Sequence, residues 1–244
     1  YGNSIDDILI ALNEKRERIS VLNDYDSYLQ KLEQQLAKKE KELAQISDEV
    51  SEIRQGSAVK LVSEIKSALN DLNFLDVQFD MHFDRLADYT ANGIDAPEFL
   101  ISTNPGEPLK PLGKVASGGE LSRIMLGIKT IMAENDHIES LIFDEIDSGI
   151  SGRTAQMVSE KMNELGRNHQ IICITHLPQI AAMADAHFLI EKAVENKSTV
   201  SRIRRLTDND SVAELARMLG GAKITDTVME SAREMKELAM EKKI

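Results

Sequence analysis

The feature that most restricts this chain is a run of about fifty residues near its start in which apolar side chains recur three and four apart. Ile5, Ile8, Leu12, Ile19 and Leu22 form one series, and Leu29, Leu32, Leu36, Leu43, Ile46, Val50 and Ile53 form a second. A three-residue slip between Leu22 and Leu29 separates them, where Asp26 would otherwise enter the seam, and Lys15 and Lys39 interrupt the stripe. No proline occurs in the run, and Gly2 is the one glycine before Gly56. This is a heptad seam in two registers, the pattern of a coiled coil. At about 1.5 Å per residue the helix would be roughly 75 Å long, too long to bury its stripe on a compact core. It needs a partner helix, and no second heptad run follows in the chain. The partner is therefore expected from another chain or from an upstream segment; the competing reading is a long surface helix of a globular domain. The chain starts at Tyr1 rather than at a methionine, so a piece of a longer protein is expected.

Past Gly56 the pattern changes. Val59 to Asn70 reads as one more helical stretch, and the alternation of Val77, Phe79, Met81 and Phe83 reads as a half-buried strand. Four of the five prolines lie between Pro97 and Pro111 and bracket a second strand, FLIST. Next come a helix from Gly118 to Ala133, the run SLIFDE, a helix from about Arg153 to Leu165, the run QIICIT, a short helix from Pro178, and the run HFLIEK. Strand alternating with helix predicts an α/β fold with a mostly parallel sheet and right-handed crossovers. STVSRIRRL reads as an antiparallel edge strand, followed by helices at Ser211 to Leu219 and Thr225 to Lys242. The expected organisation is an arm helix over 1–56 and an α/β lobe over 57–244.

The 244 residues, 42% of them apolar, can supply a core for that lobe. With 29 Lys and Arg against 41 Asp and Glu, the net charge of -12 gives no overall basic footprint for nucleic acid. The local cluster Arg202, Arg204 and Arg205 reads equally well as one exposed face of the edge strand. Cys173, the only cysteine, cannot form an internal disulfide, and its apolar setting reads as core in a reducing, cytoplasmic compartment. No apolar run approaches the roughly 18 residues of a membrane span, and the start has no secretory pattern.

Three segments carry chemistry. In LIFDEID, from Leu141 to Asp147, an apolar strand ends in adjacent carboxylates; at the C-terminal edge of a parallel sheet these would face the crevice where ligands bind. Asp144 there could hold Mg2+, and Glu145 could take a proton from an attacking water. The plain alternative is a pair of acids that ends a strand and caps the next helix. In SGGELSR, Ser117 and Glu120 have the spacing of a capping box. That explains a well-started helix, but not the two glycines of its first turn, each about 1 kcal/mol worse than alanine in a helix. The amides of Gly118 and Gly119 and the Ser117 hydroxyl, at the positive helix end, would suit a phosphate. In QIICITH a second strand ends at His176, which could hydrogen-bond phosphate oxygens or the attacking water. His82, His137, His169 and His187 have no metal-ligand spacing.

Together these segments resemble the C-terminal lobe of an ATP-binding-cassette ATPase: a signature SGGE, a Walker B strand LIFDE, a D-loop DSGIS and a switch histidine in ITH, in that order. The resemblance covers roughly 70–205. The preceding coiled coil narrows it to the SMC-like branch with long helical arms, and the stretches NPGEPLKPLGKVASGGELSRIML, FDEIDSGISG and ITHLPQIAAMADAHFLIEK resemble the C-terminal half of its RecN members, bacterial double-strand-break repair ATPases. No GxxxxGK[ST] phosphate loop occurs; GIKT at Gly127 to Thr130 lies inside the signature helix. The resemblance implies that this loop belongs to a separate N-terminal Walker A lobe and that the arm is the returning helix of a pair.

It further implies that ATP and Mg2+ are sandwiched between two heads of a homodimer. Asp144 would order Mg2+, Glu145 would be the general base, and His176 would meet the γ-phosphate. Ser117, Gly118, Gly119 and Glu120 would cover the nucleotide of the opposite head, while Asp147 and Ser148 would communicate across the interface. DNA as partner and association with the bacterial nucleoid follow from the resemblance alone. A transporter's nucleotide-binding subunit shares the signature and Walker B segments but does not need the long helix. A non-catalytic structural tether is the remaining alternative, against which the retained Glu145 argues.

Overall fold

One helix, α1 (Ile5–Asp71), takes up 67 residues of the computed structural model, which describes residues 4–114, 117–133, 138–195, 198–221 and 223–243. Residues 1–3 of the expected arm and His137 lie outside the described residues. The helix starts with a reciprocal cap: the Asp7 amide donates to Ser4 Oγ at 3.2 Å, and the Ser4 amide donates to the Asp7 carboxylate at 3.0 Å. It runs through Gly56 without a break, so the change of pattern there does not end it. A single glycine costs only about 1 kcal/mol in a helix, and good helix formers on both sides carry it. From Ile5 to Ile53 the leucines and isoleucines of the seam are exposed, so the stripe is uncovered among the described residues.

The chain divides into two compact units, 1–57 with 84–96, and 58–83 with 97–244. The first combines most of α1 with the tip of a hairpin formed by β1 (Gln78–Thr90) and β2 (Gly93–Ser102). There the buried Asp95 carboxylate accepts hydrogen bonds from Ser51 Oγ at 2.7 Å and Arg54 Nη1 at 3.0 Å, and Arg85 donates to Asp48 at 2.8 Å. The sequence pattern read this tip with the lobe; in the structure it groups with the first 57 residues of the chain.

In the second unit, β3 (Lys110–Pro111) adds antiparallel to β2, giving the order β1-β2-β3. Helix α2 (Gly118–Met132) follows, then β4 (Ser140–Phe143), α3 (Gly152–Leu165) and β5 (Gln170–Cys173). β4 and β5 are parallel, with Leu141 opposite Ile171 and Phe143 opposite Cys173, which brings their C-terminal ends side by side. Helix α4 (Pro178–Ala182) leads to β6 (Phe188–Glu195) and β7 (Ser198–Arg205), and α5 (Asp208–Gly220) and α6 (Asp226–Glu241) close the chain.

The α/β character stands, but the parallel pairing extends only to β4 and β5 among the described residues. β6 pairs antiparallel with β7, because a parallel pair requires a long crossover and these two strands are too close in the chain to supply one. One face of the β4–β5 pair is covered: Leu141, Phe143, Ile171 and Cys173 pack with Leu126, Val158 and Met162 of α2 and α3. On the other face Ile142 is 70% and Ile172 46% exposed. Strands that read as continuous apolar runs are normally covered on both faces. A second cluster joins the end of α1, through Ile65 and Leu69, to Phe79, Ile101 and Ile124. A third joins α4, α5 and α6 through Ala181, Leu215 and Ala232.

Candidate active site

Ser117 caps α2 in extended conformation and accepts a hydrogen bond from the Glu120 amide at 3.4 Å. One face of that helix, at Gly119, Arg123, Leu126 and Gly127, is buried. The glycine pair lies directly on the turn that follows β4. A Cβ on Gly119 would stand 2.8 Å from Ser148 Cβ and 2.9 Å from the carbonyl oxygens of Glu145 and Ser148. A Cβ on Gly118 would stand 2.7 Å from Glu145 Oε2. The expectation that both glycines open the backbone to a ligand is corrected at Gly119, which is buried under the chain's own turn; Gly118 is exposed beside the Glu145 carboxylate.

The apolar run ends at Phe143, and Asp144 and Glu145 emerge exposed. Asp144 Oδ1 accepts from the Glu145 amide at 2.9 Å. Glu145 takes the left-handed backbone region, φ 56°, which side chains other than glycine seldom occupy outside functional turns. The Ser148 amide closes the turn on the Glu145 carbonyl at 3.0 Å. Helix α2 grips this turn from the other side. Ser122 Oγ donates to the Asp144 carbonyl at 2.9 Å, and Arg123 Nη1 donates to the carbonyls of Ile146 at 3.1 Å and Ser148 at 2.8 Å. Burial lowers the Arg123 pKa, opposed by the nearby Glu120 and Asp147 carboxylates, and its guanidinium lies 5.7 Å from the centre of the Phe74 ring.

Asp147 does not face outward as a residue that communicates across an interface should. It is 3% exposed, and its Oδ2 accepts from Thr175 Oγ1 at 2.6 Å and from the His176 amide at 2.7 Å, with His176 Nδ1 at 3.0 Å. The reason is topological: parallel pairing sets the residues after β4 beside those after β5, and a carboxylate buried there must spend its charge on donors of the neighbouring loop. The His176 ring stays exposed. Ser148 is exposed, with its carbonyl held by Arg123.

The start of α2, the carboxylate turn and the histidine loop are thus joined by hydrogen bonds within one unit. Ser122, Arg123 and Thr175 escaped the reading of the sequence. Arg123 had a signal, since it lies four residues after Gly119 on a face that is otherwise apolar or glycine. Thr175 had none beyond its place before His176. Cys173 beneath the site has its thiol pushed up to about 12, mainly by burial and next by Asp147 and Asp144, which agrees with a core role.

No group of three or more His, Cys, Asp or Glu able to hold a metal occurs among the described residues. Mg2+ keeps several waters and takes phosphate oxygens, so one or two protein carboxylates suffice for it. The exposed Asp144 fits Mg2+ carried with a nucleotide, not a resident metal held by protein alone.

No family model matches the chain. It is 41% identical over 250 residues to a DNA repair protein RecN of Bacillus subtilis, covering 96% of this chain and 43% of that protein. To a DNA repair protein RecN of Halalkalibacterium halodurans it is 40% identical over 243 residues, covering 98% of this chain and 43% of that protein. The chain thus spans less than half the length of these relatives. Among solved structures it is similar to an Smc head domain with a coiled coil and joint from Pyrococcus yayanosii, at 18% identity and a TM-score of 0.49, covering 86% of this chain and 36% of that one.

Proposed function

We propose that the chain is part of a RecN-type DNA repair protein, the relatives it matches at 41% and 40% identity over nearly all of its length, and that it supplies the water-activating edge and the signature cover of a shared ATP pocket. The observation that carries the reading is the joining of Ser117–Arg123, Asp144–Ser148 and Thr175–His176 around the ends of β4 and β5. In this reading Glu145 is the general base toward water, and Asp144 holds Mg2+, whose charge would stabilise the phosphate oxygens. His176 faces the γ-phosphate side. Ser117, Gly118 and Glu120 cover the nucleotide of a second head, and Gly119 and Ser148 form the seat that holds the cover to the turn.

A separate N-terminal Walker A lobe supplies the phosphate cradle, and the uncovered face at Ile142 and Ile172 offers it a docking surface. The exposed heptad seam of α1 pairs with a second arm helix, and cycles of head pairing and ATP hydrolysis move arms that engage DNA in double-strand-break repair. The likeness to bacterial relatives carries the proposal of a cytoplasmic location; separately, no helix among the described residues is long and apolar enough to cross a membrane.

Glu145→Gln in the full-length protein tests the reading. A positioned base contributes about two to four powers of ten in rate, so turnover should fall by that much while ATP-dependent head dimers persist. Undiminished hydrolysis by this variant would refute the assignment.

A further inference from the structure

We propose that the cavity between the turn after α4, the end of β7 and α6 is a binding site for a small phosphate monoester, held by Arg205 and Lys236. It is independent of the ATPase reading, since none of its residues belongs to the site described above. The cavity measures about 300 Å3, the lower end of ligand pockets, and lies within the second unit. Half-buried Lys236 lines it from α6. Its Nζ donates to the carbonyls of Ala182 and Ala184, both at 3.0 Å, and an ammonium has a third hydrogen that neither takes. The two carbonyls satisfy hydrogen bonds without cancelling the charge. Burial chiefly, and then Lys243, lower the Lys236 pKa, with Asp208 and Asp185 opposing, so this ammonium is short of counter-charge.

Arg205, at the end of β7, is exposed, and its guanidinium makes no hydrogen bond or ion pair among the described residues. Two carboxylates also line the cavity, Asp185 and Asp208. Lys243 pairs with Asp185 at 2.5 Å, which leaves Arg205 and Lys236 against Asp208 alone. The local surplus is positive in a chain whose net charge is -12. A free guanidinium fork beside an ammonium hydrogen matches the clustered oxygens of a phosphate. The His187 ring lines the same cavity, its Nδ1 3.0 Å from the buried Ser211 Oγ. Its pKa is lowered, chiefly by burial, so at neutral pH the ring adds an uncharged wall suited to the organic body of an ester.

The test is protection of Arg205 from phenylglyoxal in the full-length protein, read by mass spectrometry, with glycerol 3-phosphate as the probe. The probe should slow labelling of Arg205 at least about fivefold, with half-protection on the order of 1 mM, while Arg16 of α1 keeps its rate. Lys236→Met should raise the half-protection concentration at least about tenfold, and Asp208→Asn should lower it about threefold by removing the opposing charge. Thermal unfolding of each variant checks the fold. Asp208 is exposed, so its variant keeps the test decisive should Lys236→Met not fold. Absence of protection at about 50 mM probe would overturn the inference. So would equal protection by inorganic phosphate or by succinate, or a half-protection concentration that Asp208→Asn does not lower.

Discussion

Gly118 and Glu145 stand so close that a Cβ on the glycine would lie 2.7 Å from the carboxylate oxygen Oε2. At Gly119 the neighbours are backbone carbonyls and Ser148 Cβ instead. The two glycines of one first turn therefore answer to different constraints, a movable side chain in one case and a fixed turn in the other.

Alanine substitution should separate them. Gly118→Ala is expected to change stability by less than about 1 kcal/mol, since helix propensity improves and Glu145 can swing aside. Its cost should appear in turnover, through the displaced Glu145. Gly119→Ala must push α2 off the turn and should cost about 1–3 kcal/mol. Urea unfolding of both variants decides it, and equal destabilisation would contradict the packing described.

Arg123→Met leaves the carbonyls of Ile146 and Ser148 without their charged donor and should destabilise the protein by about 2–3 kcal/mol. Arg123→Lys should recover part of that loss, because an ammonium can reach one carbonyl well but lacks the planar fork. A methionine variant as stable as the parent in denaturant titration would show that the buried guanidinium holds nothing.

Asp95 predicts an acid response confined to the arm unit. Its carboxyl is held below the usual carboxylate range, chiefly by the Ser51 hydroxyl and then by Arg54, with burial working the other way. A depressed folded value means that the contribution is fully present above the unfolded value of about 3.9 and is lost as pH falls through the folded one. Amide exchange at 93–96, corrected for its intrinsic rate, should stay constant from neutral pH to about 5 and accelerate below about 4. Asp95→Asn should lose this acid step, and an identical profile in the variant would count against the clamp.

Cys173 should be nearly inert in the folded protein. With its thiol pushed up to about 12, the thiolate fraction at pH 8 is lower than that of an ordinary cysteine by about a thousandfold. Iodoacetamide labelling in native buffer should be slower than in urea by at least about a hundredfold. Comparable rates in the two conditions would mean that β5 is not seated on the core.

The elements were legible wherever one signal dominated. The seam from Ile5 to Ile53, the alternation at Val77 to Phe83 and the cap at Ser117 all depend on side chains near each other in the chain, and the structure has them. Gly56 misled as the end of a helix, because composition shifts there while helix propensity does not. The HFLIEK run misled because an apolar strand does not declare which partner it joins; among the described residues it pairs with the antiparallel STVSRIRR rather than with the parallel β4 and β5. The glycine pair misled because a backbone left bare for a ligand and one left bare for the chain's own turn look alike in sequence.

The residue types of the site, two acids after an apolar strand, a capped glycine turn and a histidine after a second strand, follow from the amino-acid order alone, since each belongs to one short stretch of chain. Which of them face a ligand and which face one another was decided only when parallel pairing set the ends of β4 and β5 together. That buried Asp147 against His176 and Gly119 against Ser148, because contacts between residues far apart in the chain follow from packing, which no local pattern encodes.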